Sequence, residues 1–167
     1  MSAARKLGSI AMLMAILPIV LGSTAVDAQP LHGAASKGLA LSISTTKSTF
    51  GIGDEITLHM TIANDSESPI TIQTADAYSG YQFLVRYDGG PYLTAREHPR
   101  GAAVGGGPPH TWLAKGTSFG TTYYAFDSLF DFTKPGTYTV TAVKRIMSPS
   151  QEYYTTLTSN VLTIMVK

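Results

Sequence analysis

The sequence predicts an all-β fold, an antiparallel β-sandwich of about eight strands that follows an N-terminal signal helix. The first observation is composition, because 44% of the 167 residues are hydrophobic and only 14% are charged, with many threonines and tyrosines and few helix-forming residues. The second is the alternation of apolar and polar residues in short segments, which is the period of a half-buried strand. The third is the regular spacing of glycine and proline turn signals between those segments.

The segment 1–28 predicts a secretory signal peptide. Residues 5–6 are basic, and the apolar run at 10–21 is shorter than the roughly 20 residues that a membrane-spanning helix needs. Residues 26–28 place small or modest side chains where a signal peptidase acts, so we expect cleavage after Ala28. A retained N-terminal anchor is the alternative. Once cleaved, the chain is expected to be secreted or periplasmic and free of the membrane.

Charge and cysteine content exclude several classes of function. Without the signal peptide the basic and acidic residues balance, which argues against nucleic-acid binding, since that needs a basic patch. The chain has no charge run or basic amphipathic helix that would favour a membrane surface. It also has no cysteine, so it cannot be a lipoprotein and cannot use a thiolate nucleophile, an iron–sulfur cluster or a cysteine-bound zinc.

The first half of the expected domain contains its clearest strand. Residues 29–38 predict a flexible leader, and the sandwich domain is expected to occupy 39–167. The segments 39–45 and 56–64 both alternate apolar with polar residues, so each predicts a strand with one apolar face. In the second segment that face consists of Ile56, Leu58, Met60 and Ile62.

The middle of the chain predicts short strands and one long loop. Residues 70–74 and 81–87 have strand character, and Asp-Gly-Gly at 88–90 predicts a hairpin turn with a return at 91–95. The loop 96–109 is rich in glycine and proline. Loops of this length are often functional or mobile.

The last part of the chain predicts the remaining strands. Strand character resumes at 110–114 and 118–126, and an apolar connection then leads to a long strand at 137–147. A closing strand is expected at 161–167. Its side chains Leu162, Ile164 and Val166 should face inward.

Ser118 lies in "GTSFG" (116–120), which fits the G-x-S-x-G pattern of a hydrolase nucleophile. That motif needs a helix after the serine, because the serine sits on a sharp strand-to-helix turn. Here "TTYYAF" follows, which has strand character. The five residues therefore predict a turn and the start of a strand, and the chain is expected not to be an enzyme. A hydrolase that uses Ser118 remains a third hypothesis.

Histidines offer two possible metal sites. His98 and His110 flank the long loop with Glu97 nearby, but they lack the close spacing that metal-binding histidines usually show. His32 lies four residues into the expected mature chain, one position too far for an N-terminal copper site. His59 lies opposite the apolar face of its strand and predicts a surface residue. The sequence therefore predicts no metal and no cofactor.

The long loop and the aromatic residues supply the candidate binding sites. Arg96, His98, Arg100 and His110 form the candidate partner-binding loop, since guanidinium groups suit the recognition of carboxylates on a protein. The alternative is carbohydrate or cell-surface binding by exposed aromatic side chains. A lone tryptophan in a sandwich is expected in the core rather than on a ligand platform. The aromatic candidates are Trp112, Tyr123, Tyr124, Tyr153 and Tyr154.

Two segments near the end of the chain, "KPGTYTVTA" (134–142) and "SNVLTIMV" (159–166), resemble the last two strands of secreted bacterial immunoglobulin-like modules. In those modules the Pro-Gly-x-Tyr sequence turns a corner and the tyrosine fills the end of the sandwich. Tyr138 would be that tyrosine. The resemblance implies an immunoglobulin-like β-sandwich.

A looser resemblance covers residues 39–143 and involves "FLVRYDGGPY", "WLAKGTS" and "LFDFTKPGTYTV". These segments resemble the sandwich propeptide of deuterolysin-type metalloproteases and the intracellular proteinase inhibitor family. The chain has no His-Glu-x-x-His zinc motif, so the resemblance implies a free-standing sandwich. It further implies a non-enzymatic binding module that contacts another protein, with a protease as the partner class.

Overall fold

The computed structural model describes residues 32–73, 80–96, 110–147 and 153–167, and this part of the chain is an all-β structure. Its only helical element is one short 3-10 helix, Phe126–Ser128. The expected signal helix and cleavage site lie outside these ranges. The ten strands of the described ranges are β1 Leu39–Ser44, β2 Thr49–Phe50, β3 Leu58–Asn64, β4 Ile70–Gln73, β5 Tyr81–Tyr87, β6 His110–Leu113, β7 Ser118–Tyr123, β8 Gly136–Met147, β9 Tyr153–Thr158 and β10 Leu162–Val166.

The strands form two main sheets and one small one. The first sheet has the order β1-β3-β7, and the second has the order β2-β10-β8-β5, with β9 also paired to β8. Strands β4 and β6 form a separate pair. Every pairing between these strands is antiparallel except the short one between β2 and β10. The expected antiparallel sandwich is confirmed. The expected count of about eight strands missed β2, because its two residues lie beside the turn at 51–55.

The connectivity is immunoglobulin-like. Seven strands remain when the short or additional strands β2, β4 and β9 are set aside. The first, second and fifth of these seven lie in one sheet, and the third, sixth and seventh lie in the other. These six strands are divided between the sheets as strands A, B, E and C, F, G of an immunoglobulin domain are, whereas the fourth strand, β6, pairs with β4 outside both sheets.

The core lies between the two sheets and follows from the alternation in the sequence. Ile56, Leu58, Met60 and Ile62 are all buried on the inner side of the first sheet, as predicted. From the second sheet Tyr138, Val140, Ala142 and Ile164 enter the same apolar cluster. Each large apolar side chain buried here contributes about 1.5–3 kcal/mol. A slip of one residue in either sheet would expose a whole face, so the pattern also fixes the register.

The connection between β7 and β8 closes one end of the sandwich. Phe126, Leu129, Phe130 and Phe132 are buried, so this connection is part of the core, as its apolar residues predicted. The rings of Phe126 and Phe130 lie 5.4 Å apart, and the ring of Phe132 lies 4.7 Å from that of Tyr138. The connection is therefore packed against the start of β8.

Two tyrosine hydroxyls hold the turn that leads into β8. Tyr138 is buried and donates to the carbonyl oxygen of Lys134 at 3.0 Å, which is the tyrosine corner of immunoglobulin-like domains. Tyr87 of β5 donates to the carbonyl oxygen of Pro135 at 2.9 Å. Between them Gly136 has a φ of 150°, and a Cβ there would lie 2.6 Å from the Tyr87 ring. The predicted role of Tyr138 is confirmed.

Asn64, the last residue of β3, is fully buried and joins three segments through its side chain. Its Nδ2 donates to the carbonyl oxygens of Ser68 and Leu113, both at 2.9 Å. Its Oδ1 accepts from the backbone N–H and the hydroxyl of Ser66, at 3.0 and 2.7 Å. The buried amide is therefore fully paired at the point where the chain leaves the first sheet and begins the β4–β6 pair.

The outer edge of β1 is covered by side-chain and backbone groups. Asn160, between β9 and β10, accepts from the N–H of Ile43 at 2.8 Å and donates to its carbonyl oxygen at 3.1 Å. Gly33, in the expected leader, donates its N–H to the carbonyl oxygen of Leu41 at 3.0 Å. These groups take the place of a neighbouring strand, which protects the edge from pairing with another chain.

The tyrosine corner yields a prediction about stability. Tyr138→Phe removes the buried hydroxyl that holds the Lys134 carbonyl, so the free energy of unfolding should fall by about 1 kcal/mol. Tyr87→Phe is the matched control, because its partner carbonyl is exposed and can bind water, and its cost should stay below about 0.5 kcal/mol. Urea unfolding of both variants measures the difference. Equal losses would contradict the role assigned to Tyr138.

Candidate binding groove

The second sheet ends at β5, and only half of that edge is paired. The carbonyl oxygen of Val85 accepts the N–H of Leu93 at 2.7 Å, so the return segment after the 88–90 turn pairs with the end of β5. The predicted hairpin return therefore exists, although it is a bridge and not a full strand. Because main-chain groups alternate sides along an antiparallel strand, Tyr81 and Phe83 also direct their N–H and C=O groups away from β8.

The first half of the β5 edge has no strand beside it. Within the described ranges no main-chain or side-chain group hydrogen-bonds the outward N–H and C=O groups of Tyr81 and Phe83. The return segment follows β5 only as far as Leu93. It then leaves the strand, and the N–H of Arg96 donates to the carbonyl oxygen of Leu129 at 2.7 Å. The return segment is thus bonded to β5 at Leu93 and to the β7–β8 connection at Arg96.

A groove of about 480 Å³ lies between β5 and the return segment. Buried Leu129 and Phe130 of the β7–β8 connection contribute to its lining, and Tyr92 is 53% exposed beside it. None of the described side chains that line it is charged. The lining residues are Tyr81, Gln82, Phe83, Leu84, Tyr92, Leu93, Ala95, Leu129 and Phe130.

Arginine side chains lie beside the groove. The guanidinium of Arg86 stacks over the ring of Tyr92, 4.1 Å from its centroid, and its side chain is exposed. Arg96 forms an ion pair with Asp131, with a 3.4 Å distance between its guanidinium and the carboxylate, and both side chains are about half exposed. Exposed pairs of this kind are weak, so both arginines can reach a further anionic group.

Tyr81 closes the far end of the groove. Burial raises the pKa of its hydroxyl, and a 3.4 Å contact with the Thr121 hydroxyl opposes that rise. The ammonium of Lys144 lies 3.9 Å from the centre of the Tyr81 ring. This cation–π contact fixes the ring next to the unpaired half of β5.

A second, smaller hollow of about 150 Å³ lies on the other side of Phe130. The Asp54 carboxylate there pairs with the Lys47 ammonium at 2.7 Å, and Asp127 accepts the N–H of Ile56 at 2.9 Å. The hydrogen bond from Lys47 lowers the pKa of Asp54, with help from the Gly51 N–H. Both carboxylates therefore have partners, and that of Asp127 ties the β7–β8 connection to Ile56.

The candidate loop of the sequence is only partly described. Arg96 lies at the end of the return segment beside the groove, and His110 is the exposed first residue of β6, where it pairs with Gln73. No contact between described residues joins Arg96 to His110. His98 and Arg100 lie outside the described residues, so their roles stay predictions.

Ser118 and Trp112 occupy the surface. Ser118 is the exposed first residue of β7, and a strand follows it, as predicted, in place of the helix that a nucleophile elbow needs. The expectation that Trp112 is a core residue is wrong, because its side chain is 64% exposed. Its neighbour Leu113 occupies the inward position on β6, so alternation turns Trp112 outward.

The other histidines also have ordinary surroundings. The Nδ1 of His59 lies 3.3 Å from the Thr122 hydroxyl on the neighbouring strand, and the side chain, predicted at the surface, is half-buried. His32 is exposed. Among the described residues no cluster of three or more histidine, aspartate or glutamate side chains is able to hold a metal ion.

None of the helical structure in the described ranges has the length and apolar character required to span a membrane. No protein-family model matches the chain, and no curated protein matches it.

The groove beside β5 was not predicted from the sequence. The Asp-Gly-Gly turn at 88–90 was its one visible signal, because it predicted a return segment beside β5.

Three of the solved structures that are similar to this chain have TM-scores below 0.5. A CARDB domain from Pyrococcus furiosus, in complex with di-metal ions, is 10% identical over 77% of this chain and 87% of that domain, with a TM-score of 0.39. Spo0M, a sporulation control protein from Bacillus subtilis, is 13% identical over 78% of this chain and 49% of its own, with a TM-score of 0.41. AvmM, which catalyses macrocyclization in alchivemycin A biosynthesis, is 8% identical over 83% and 96%, with a TM-score of 0.42. The strand pairing of this chain is therefore what identifies its fold.

The Asp131 carboxylate yields a prediction about pH. The Thr133 hydroxyl and N–H lower its pKa most, and Arg96 contributes less. Thr133→Val should therefore raise the pKa of Asp131 more than Arg96→Gln does, as measured by NMR titration of the carboxyl carbon. Because the folded-state pKa is the lower one, the stabilisation is present above the unfolded pKa of about 3.9 and is lost as the pH falls through the folded value. A larger rise in Arg96→Gln would contradict this order.

Proposed function

We propose that this chain is an exported, non-catalytic binding module that contacts another protein through the groove beside β5. The observation that carries the proposal is the open main chain of Tyr81 and Phe83 next to an apolar groove. Extended segments of partner proteins bind such edges, because main-chain hydrogen bonds give affinity and side-chain pockets give specificity.

The contrast between two edges supports this proposal. An open edge strand favours aggregation, and proteins usually cover it. In this fold Asn160 covers the edge of β1 at Ile43. Among the groups that the structure describes, the edge of β5 is paired only near Val85, and the rest of it lies beside apolar side chains. A partner that occupies the groove would complete the sheet.

Export and the partner class are further parts of the proposal. Residues 1–28 favour export by the character of a signal peptide. The resemblance to a protease propeptide and to proteinase inhibitors makes a protease the partner class we favour. Arg96 ends the return segment at the groove, and His98 and Arg100 follow it closely in the sequence, so the candidate loop can contribute to the same contact.

Photo-cross-linking in the cells that produce the protein tests the protein-binding function. A benzophenone amino acid in place of Tyr92, beside the groove, should form adducts with another protein. The same amino acid in place of Tyr124, which is 60% exposed and does not line the groove, is the matched control. Leu84→Lys should abolish the adducts, because it puts a charge into the apolar groove. Equal adducts at both positions, or none at position 92, would overturn the proposal.

Carbohydrate binding is the second candidate function, and the exposure of Trp112 favours it. Aromatic rings that project from a sheet are able to stack on sugar rings. Retention of the protein in polysaccharide-containing gels tests this idea. If it is right, Trp112→Ala should abolish retention and Tyr124→Ala should leave it unchanged. No retention on a broad panel of polysaccharides would remove this candidate.

A further inference from the structure

We propose that the occupant of the β5 groove is an extended segment of the partner that places an apolar side chain between β5 and the return segment and an acidic side chain beside Arg86. This inference rests on the proposed function and names the chemistry that the groove selects. The occupant is a segment of another protein, because contact with another protein is the proposed function.

The main chain of the groove requires an extended occupant. Tyr81 and Phe83 present two N–H donors and two C=O acceptors along one line, spaced as in a strand. The Leu93 N–H already occupies the next acceptor on this line, the Val85 carbonyl. An added strand would therefore lie in line with Leu93. A helical occupant cannot satisfy these groups, because its own main chain is internally paired.

The lining of the groove requires an apolar side chain. Leu129 and Phe130 are buried side chains that contribute to the lining, and Phe83 and Leu93 are partly buried beside them. A polar side chain placed here would lose its hydration without gaining a partner, since the lining carries only Gln82 and two tyrosine hydroxyls as polar side-chain groups. Successive side chains of a strand point to opposite sides, so only alternate residues of the occupant meet this lining.

The charges around the groove select an acidic neighbour for that side chain. Arg86 is exposed, held over the Tyr92 ring, and forms no ion pair within the described ranges. Arg96 lies at the end of the return segment, and its one ion pair with a described residue is with the exposed carboxylate of Asp131. Among the described residues that line the groove, none has an acidic side chain. A carboxylate on the occupant therefore meets a positive rim, and a lysine or arginine there would be repelled.

Selection from a phage-displayed library of random peptides on the mature chain tests the inference. We expect the selected peptides to share alternating apolar residues and an aspartate or glutamate. A synthetic copy of one selected peptide should slow amide hydrogen exchange at Tyr81 and Phe83 by about 100-fold when it is present at about 100 times its Kd. Gln82 is the internal control, because its N–H faces β8 and is already paired.

Charge variants test the acidic contact. Arg86→Gln should weaken the peptide about two- to fivefold, the range of an exposed ion pair, and should lower the salt dependence of binding. Replacing the acidic residue of the peptide by its amide should have the same effect on the wild-type protein and little further effect on Arg86→Gln. Arg86→Lys should retain most of the affinity. Lys47→Gln, which removes the same charge away from the groove, is the matched control.

The outcomes separate the inference from the proposed function. If no peptide is selected, both the inference and protein binding at this groove are overturned. If peptides bind but protect amides elsewhere, the β5 site is wrong and protein binding survives. If Tyr81 and Phe83 are protected but the amide form of the peptide binds equally well, only the acidic contact is overturned.

Discussion

The hydrogen bond from the Tyr138 hydroxyl to the Lys134 carbonyl fixes the connection between β7 and β8, and the groove depends on that connection. Leu129 and Phe130 belong to it and line the groove, and the Leu129 carbonyl accepts the N–H of Arg96 that ends the return segment. The connection that this contact holds at its end therefore also lines the site. Stability and binding share one element, so damage to the corner reaches the groove through packing and not through direct contact.

The edge strands β1 and β5 differ in how far their outer main-chain groups are paired, and the difference arises from short segments between strands. The Asn160 side chain bonds the N–H and C=O of Ile43 as the main chain of a neighbouring strand would, so the edge of β1 is paired there without a strand. The return segment pairs with β5 at Val85 but leaves the strand after Leu93, because the Arg96 N–H is bonded to the β7–β8 connection. One edge is finished by the chain itself, and the other leaves the main chain of Tyr81 and Phe83 open.

Alternation in the sequence predicted which side chains face the core, and the buried side chains of β3, β8 and β10 follow that alternation. It did not predict which strand lies beside which, because a period of two carries no information about neighbours. The groove was missed for that reason, since it exists only where the return segment fails to follow β5. The burial of Trp112 was wrongly predicted, because large aromatic residues are usually buried. In this fold Leu113 takes the inward position on β6 and Trp112 is exposed. The parallel pairing of β2 involves two residues, too few for any period to show.

Asparagine residues are thermolabile, because the backbone nitrogen of the next residue attacks the side-chain amide carbon and releases ammonia. For Asn64 that nitrogen belongs to Asp65, where it donates to the Gly38 carbonyl oxygen at 2.8 Å, and the Asn64 amide itself is held by two carbonyls. The folded chain therefore protects Asn64 from deamidation, and the reaction is confined to molecules that have unfolded. Such a molecule gains a carboxylate where two donors are required, so it cannot restore the native pairing. Deamidation at Asn64 thus removes molecules that unfold and spares those that stay folded.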